Sequence, residues 1–82
     1  MTLKELRMWH WRGVIDYRKK AAHYAKQLQA EFNLTSQSKR YESGIPYFNK
    51  QADFHLKCVQ CLNEILPFNG TTAEQDCAEA DK

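Results

Sequence analysis

Between Leu3 and Phe32 the chain has no proline and a single glycine, Gly13, and from Asp16 to Glu31 it is dense in Ala, Lys, Gln, Tyr and Leu. Such residues are mostly tolerated or favoured in helices, so a run this long is expected to form one helix. Its start is also written locally. Thr2 and Glu5 have the spacing of a capping box, in which each side chain satisfies the other residue's free backbone N–H, and helix 1 is expected to begin at Leu3. Asn33 is a plausible left-handed stop, which gives helix 1 bounds of about 3–32.

Residues 34–45 are polar and turn-rich and are closed by Gly44 and Pro46, so they read as a connection with at most a short helical turn after Thr35. Proline suits the first position of a helix, and helix 2 is expected from Pro46 to Leu66, with Pro67 as its stop. Thr72 followed by Gln75 could cap one more short helix in the remaining residues. No strand-like alternation is present. The expected fold class is therefore all-α: a long antiparallel helical hairpin over residues 1–70, then an acidic tail over 71–82 that is loosely ordered or forms one short helix.

Stepping residues by about 100° around each axis separates buried from solvated faces. On helix 2, Phe48, Ala52, His55, Val59, Leu62 and Leu66 form one stripe with Tyr47, Phe54, Cys58, Cys61 and Ile65 beside it, and this whole broad face is expected to be buried. Helix 1 has a main stripe through Leu3, Leu6, His10, Gly13, Val14, Tyr17, Ala21, Tyr24, Leu28 and Phe32, with Trp9 on one edge, that should pack on helix 2, with Gly13 allowing close approach. A second strip, Met8, Trp11, Ile15, Ala22 and Ala25, widens the apolar arc to roughly 260°, more than a two-helix contact covers. Apolar surface left over on a small chain is an association site, so a homo-oligomer is expected through Met8, Trp11, Ile15 and Ala22, with a four-helix bundle as its simplest form.

At 82 residues the chain is near the size at which one core is marginal and some staple is needed. The three cysteines, an odd number, fit a reducing compartment better than a disulfide framework. A charged N-terminal segment and the lack of any long apolar run point to a cytoplasmic protein with no membrane partner. Charge is divided unevenly. Residues 1–70 carry eleven Lys and Arg against six Asp and Glu, whereas residues 71–82 carry four acids and one Lys. A basic body favours anionic partners, although solubility alone also asks for charge of this size.

Several residue groups could carry chemistry. His55, Cys58 and Cys61, with Cys77 in the tail, are metal-capable, but on a helix the three drift around the axis and sit on the apolar face, where cysteine usually acts as a small hydrophobe. No metal and no other cofactor is expected. His10 and His55 lie at the centres of the two packing stripes and are expected to face one another or a tyrosine hydroxyl. No carboxylate pair, Ser/His/Asp set or glycine-rich phosphate loop accompanies them, so the chain is not read as an enzyme.

Arginine and aromatic residues offer a different use. Lys4, Arg7, Arg18 and Lys26 flank Trp11 on helix 1, and guanidinium groups beside a ring are what a nucleotide or single-stranded nucleic-acid site employs. The alternative is that Trp11 is buried in an oligomer interface with the cations along its rim. A helix-turn-helix is not offered, because two long helices are separated by about a dozen residues.

The pattern Leu6, Trp9, His10, Trp11, Tyr17 and Arg18, then Phe54-His55-Leu56, Val59-Gln60, Leu62-Asn63 and Pro67, and last Thr72-Ala73-Glu74 with Asp76, resembles small uncharacterised helical proteins encoded by bacteriophages and prophages. The resemblance implies counter-defence in the cytoplasm of a host cell, by binding a host protein or by sequestering a nucleotide immune signal; it supplies no site residues. Combined with the helix-1 strip, it gives the expectation of a non-enzymatic binding protein that takes an anionic nucleotide-like ligand. Arg7 and Arg18 would meet phosphate, Lys26 would belong to the same ligand-binding strip, and Trp11, with Tyr17 or His10, would stack on a base. A protein–protein inhibitor of a host enzyme or nuclease and a nucleic-acid-binding accessory protein are the other readings.

Overall fold

A computed structural model describes residues 1–30, 36–65 and 69–82, without the side chains of 36–38. It contains three helices among these residues and no strand: α1 (Leu3–Ala30), α2 (Ser36–Ile65) and α3 (Ala73–Ala80). α1 packs against α2 as a helical hairpin, and α3 packs on α1. No helix is long and apolar enough to cross a membrane.

Both capping boxes are formed. Glu5 N–H donates to Thr2 Oγ1 at 3.1 Å while Thr2 N–H donates to Glu5 Oε1 at 3.3 Å, and the Thr72/Gln75 pair does the same for α3 at 3.1 and 2.9 Å. The acidic tail thus has a helix, as one of the two sequence alternatives allowed. The stops expected at Asn33 and Pro67 lie outside the described residues.

α2 begins earlier than expected. It starts at Ser36 and runs through Pro46, so most of the polar stretch read as a connection is helical. Proline lacks the N–H that would bond the carbonyl of Glu42, a local cost that tertiary contacts offset. Tyr24 of α1 meets Tyr41 and Phe48 edge-on, each at 5.0 Å between ring centroids. Gly44 lies between them. A Cβ there would come within 2.5 Å of the Tyr24 ring, so the residue that reads as a turn signal is a docking notch inside the helix.

Among the described residues the buried apolar side chains are small: Val14, Ala21, Ala52, Val59, Ala73 and Cys77. Small residues let the helices approach closely, although each buries little area. The broad face of α2 is only partly covered. Ala52, His55 and Val59 are buried, whereas Tyr47, Phe54 and Ile65 are 56%, 57% and 72% exposed, which corrects the expectation that the whole face is buried.

The second strip of α1 also finds a different fate. α3 lies over its N-terminal half, where the Cys77 thiol donates to the Met8 carbonyl at 3.6 Å. Met8 is half-buried beside Asp76, Glu79 and Ala80, and Trp11 is half-buried beside Thr72, Ala73 and Glu74. Ile15 borders Arg12 and Asp81, and Ala22 is exposed. The tail therefore covers part of the surface expected to form an oligomer interface, at Met8 and Trp11.

Candidate functional site

Arg7 is the first expected ligand residue to be placed, and it is not at an open site. Its side chain is 1% exposed and its guanidinium is used within the fold. Nη2 lies 2.6 Å from Asp76 Oδ2, and Nη1 donates to Asn63 Oδ1 at 2.7 Å and to the Thr71 carbonyl at 3.3 Å. Burial raises the Asp76 carboxyl pKa, but the hydrogen bonds from Arg7 and Thr71 and the charges of Lys4 and Arg7 outweigh it and hold the group below its ordinary value. The assignment of Arg7 to a ligand phosphate is corrected: the carboxylate it holds is on α3 of the same chain.

The opposite edge of the hairpin opens into a cleft of about 360 Å³ lined by Trp9, Arg12, Gly13, Asp16, Tyr17, Lys20 and His55. The α1 residues recur at steps of three and four, which brings them to one side of that helix. Trp9 is 54% exposed. Its ring stands edge-on to His55 at 5.3 Å. Tyr17 lies nearly parallel to His55, with centroids 5.6 Å apart and planes 15° apart, and stacks on Phe48 from the same position at 6.0 Å. Lys20 Nζ sits 5.2 Å from the centre of the Tyr17 ring. Arg12 enters the same cleft while Nη2 pairs with Asp81 at 2.8 Å.

The floor is set by a glycine. An ideal Cβ on Gly13 would lie 2.9–3.1 Å from three atoms of the His55 ring, so the buried imidazole occupies the space a side chain would take. Behind it, His10 Nδ1 and His55 Nδ1 are 2.9 Å apart. One ring must donate and the other accept, so the pair's four nitrogens carry two protons when neutral and at most three, because the two facing atoms cannot both be protonated.

Desolvation, followed by the charge of His55, lowers the His10 pKa below its ordinary 6.5. The folded chain accordingly takes up this proton less readily than the unfolded chain does. Stability from this source is complete above pH 6.5 and is lost as the pH falls below it toward the folded value. Denaturant midpoints are expected to drop between pH 7.5 and pH 5, and His10→Gln is expected to flatten that slope. Equal midpoints at the two pH values would count against the paired geometry.

Of the other residues expected at a site, Tyr17 lines the cleft and His10 supports it. Trp11, Arg18 and Lys26 do not line it; Arg18 and Lys26 are exposed, and Trp11 borders the separate groove under α3. The metal alternative does not assemble. His55 turns to α1, Cys61 is exposed, and among the described residues no three His, Cys, Asp or Glu side chains converge. Sequence reading missed Trp9, Arg12, Asp16 and Lys20 as cleft residues, although their spacing alongside Gly13 and Tyr17 was a usable signal. Compared with family models, curated proteins and solved structures, the chain matches none.

Proposed function

We propose that this chain is a non-enzymatic binding protein that holds a small anionic, ring-bearing molecule of the nucleotide class in the Trp9/Tyr17/Lys20 cleft. The single observation carrying this reading is the half-exposed Trp9 ring beside a Tyr17–His55 stack with Lys20 above it. A base stacks on the exposed Trp9 ring with Tyr17 as the cleft wall, a phosphate meets Lys20 and Arg12, and Asp16 accepts from sugar hydroxyls or an exocyclic amine. Asp16 would repel a simple inorganic anion, so a ligand with both charge and hydroxyl groups fits better. In the bacteriophage setting implied by the resemblance, such a ligand would be a host signal removed by sequestration.

Calorimetry against adenosine monophosphate, ADP-ribose and cyclic dinucleotides tests the proposal. Binding of at least one is expected, with a loss of about tenfold or more in Lys20→Ala and Tyr17→Ala, each change being worth ~1.4 kcal/mol or more. Arg18→Ala should leave it unchanged. The absence of heat with every compound, or equal binding by Lys20→Ala and the parent, would reject it. The rival reading, an inhibitor of a host protein, would use the acidic tail or the Met8, Trp11 and Ile15 strip, which is half-buried in this chain.

A further inference from the structure

α2 carries a stripe that its own fold leaves uncovered. Tyr47, Gln51, Phe54, Cys58, Cys61 and Ile65 follow one another at alternating steps of four and three residues. That alternation keeps side chains on one seam of a two-stranded coiled coil. The seam is not the face used against α1, where Ala52, His55 and Val59 are buried, but lies roughly 90° around the helix from it. Its large apolar members are more than half exposed, as is usual for an association surface and not for the side of a monomeric helix.

We propose that this stripe is the seam of a homodimer in which α2 packs antiparallel on α2 of a second copy. Charge selects both the occupant and its direction. Lys50, Lys57 and Glu64 are exposed and immediately precede Gln51, Cys58 and Ile65, so they form the solvent rim of the seam. A two-fold antiparallel arrangement that sets Phe54 against Cys58 of the partner subunit brings Lys50 to Glu64 of the partner subunit and Glu64 to the partner's Lys50. The two copies of Lys57 meet near the axis, one exposed like-charge contact against two opposite-charge contacts.

A parallel pair lacks this match. Its rim residues would face the row Phe48, His55 and Leu62, which holds no acid and is already turned toward α1. In the antiparallel register the polar Gln51 also has a fixed opposite number, Cys61 of the partner subunit, and a polar residue within a seam penalises slipped registers. This interface uses neither Met8 nor Trp11, which α3 covers, so it replaces the interface expected from the sequence.

Sedimentation equilibrium on the full chain tests the proposal. The parent is expected at twice its 9.7 kDa chain mass. Phe54→Lys is expected to be monomeric with unchanged helical content, because that side chain is 57% exposed within one copy. Glu64→Lys, which turns both attractive rim pairs repulsive, should weaken association by about tenfold or more, and adding Lys50→Glu should restore it. Under mild oxidation Phe54→Cys should cross-link to Cys58 of the partner subunit. A parent that stays monomeric, leaving the stripe to a helix of some other protein, overturns the proposal. So does a dimer indifferent to Phe54→Lys, failure of the charge swap to rescue, or a Cys58-to-Cys58 cross-link.

Discussion

Asp76→Ala is expected to lower the stability of the fold by about 3–5 kcal/mol, the usual cost of removing one partner from a buried ion pair. Asp76 is 3% exposed and Arg7 1%, so the variant leaves a guanidinium out of water without its counter-charge. That loss is a large part of the ~5–15 kcal/mol that holds a small domain together. α3, at eight residues, cannot hold itself helical once undocked. Trp11 borders the groove under α3, so its fluorescence should shift to the red, whereas Trp9 is already half exposed.

Two controls separate burial from charge in this result. Asp81→Ala removes an ion pair of similar length, 2.8 Å, but an exposed one, and should cost at most about 1 kcal/mol. Arg7→Leu combined with Asp76→Leu should recover much of the loss, because no charge then remains buried. Urea denaturation measures all three; a fall of under about 1 kcal/mol in Asp76→Ala would mean that α3 is held by its apolar contacts instead. The same pair predicts an acid limb. The Asp76 carboxyl is held below its ordinary 3.8, so its contribution is present above that pH and disappears as the pH falls through the folded value.

Gly13→Ala should also destabilise, against the ordinary trend. Inside a helix this change normally gains roughly 1 kcal/mol. Here the new methyl meets His55 Cδ2 at 2.9 Å, and the ring has little freedom to retreat: His10 bonds its Nδ1, Tyr17 stacks on it and Trp9 stands at its edge. Overpacking of this sort costs about 1–3 kcal/mol, so the balance falls on the unfavourable side. Thermal melts give the sign, and displaced His55 and Tyr17 ring resonances would show that the cleft wall has moved. A variant more stable than the parent would mean that the imidazole yields easily.

What was legible in the sequence was what neighbours decide. The Thr2/Glu5 and Thr72/Gln75 boxes are four-residue patterns whose hydrogen bonds close within about one turn, and both are formed. The facing of His10 and His55 could be read because each sits at the centre of an apolar stripe. The start of α2 could not. Gly44 and Pro46 signal a turn by themselves, and only the Tyr24 ring, twenty residues before Gly44, makes a helical glycine useful there. Arg7 was misread for a related reason. A cation beside aromatic residues has the same local pattern whether its acid lies on a ligand or 69 residues along the chain.

The basic body and acidic tail acquire a different meaning once folded. Lys4 and Arg7 reach Asp76, and Arg12 reaches Asp81, so three ion pairs join the N-terminal half of α1 to the last turns of the chain. The charge separation seen along the sequence is thereby largely cancelled at one end of the molecule, while Arg18, Lys19, Lys20 and Lys26 remain exposed toward the other. The result is an electric dipole along the hairpin. An approaching anion would be turned toward the Lys20 end of the cleft before it touches the protein, and its rate of capture, more than its final affinity, should fall as salt is added.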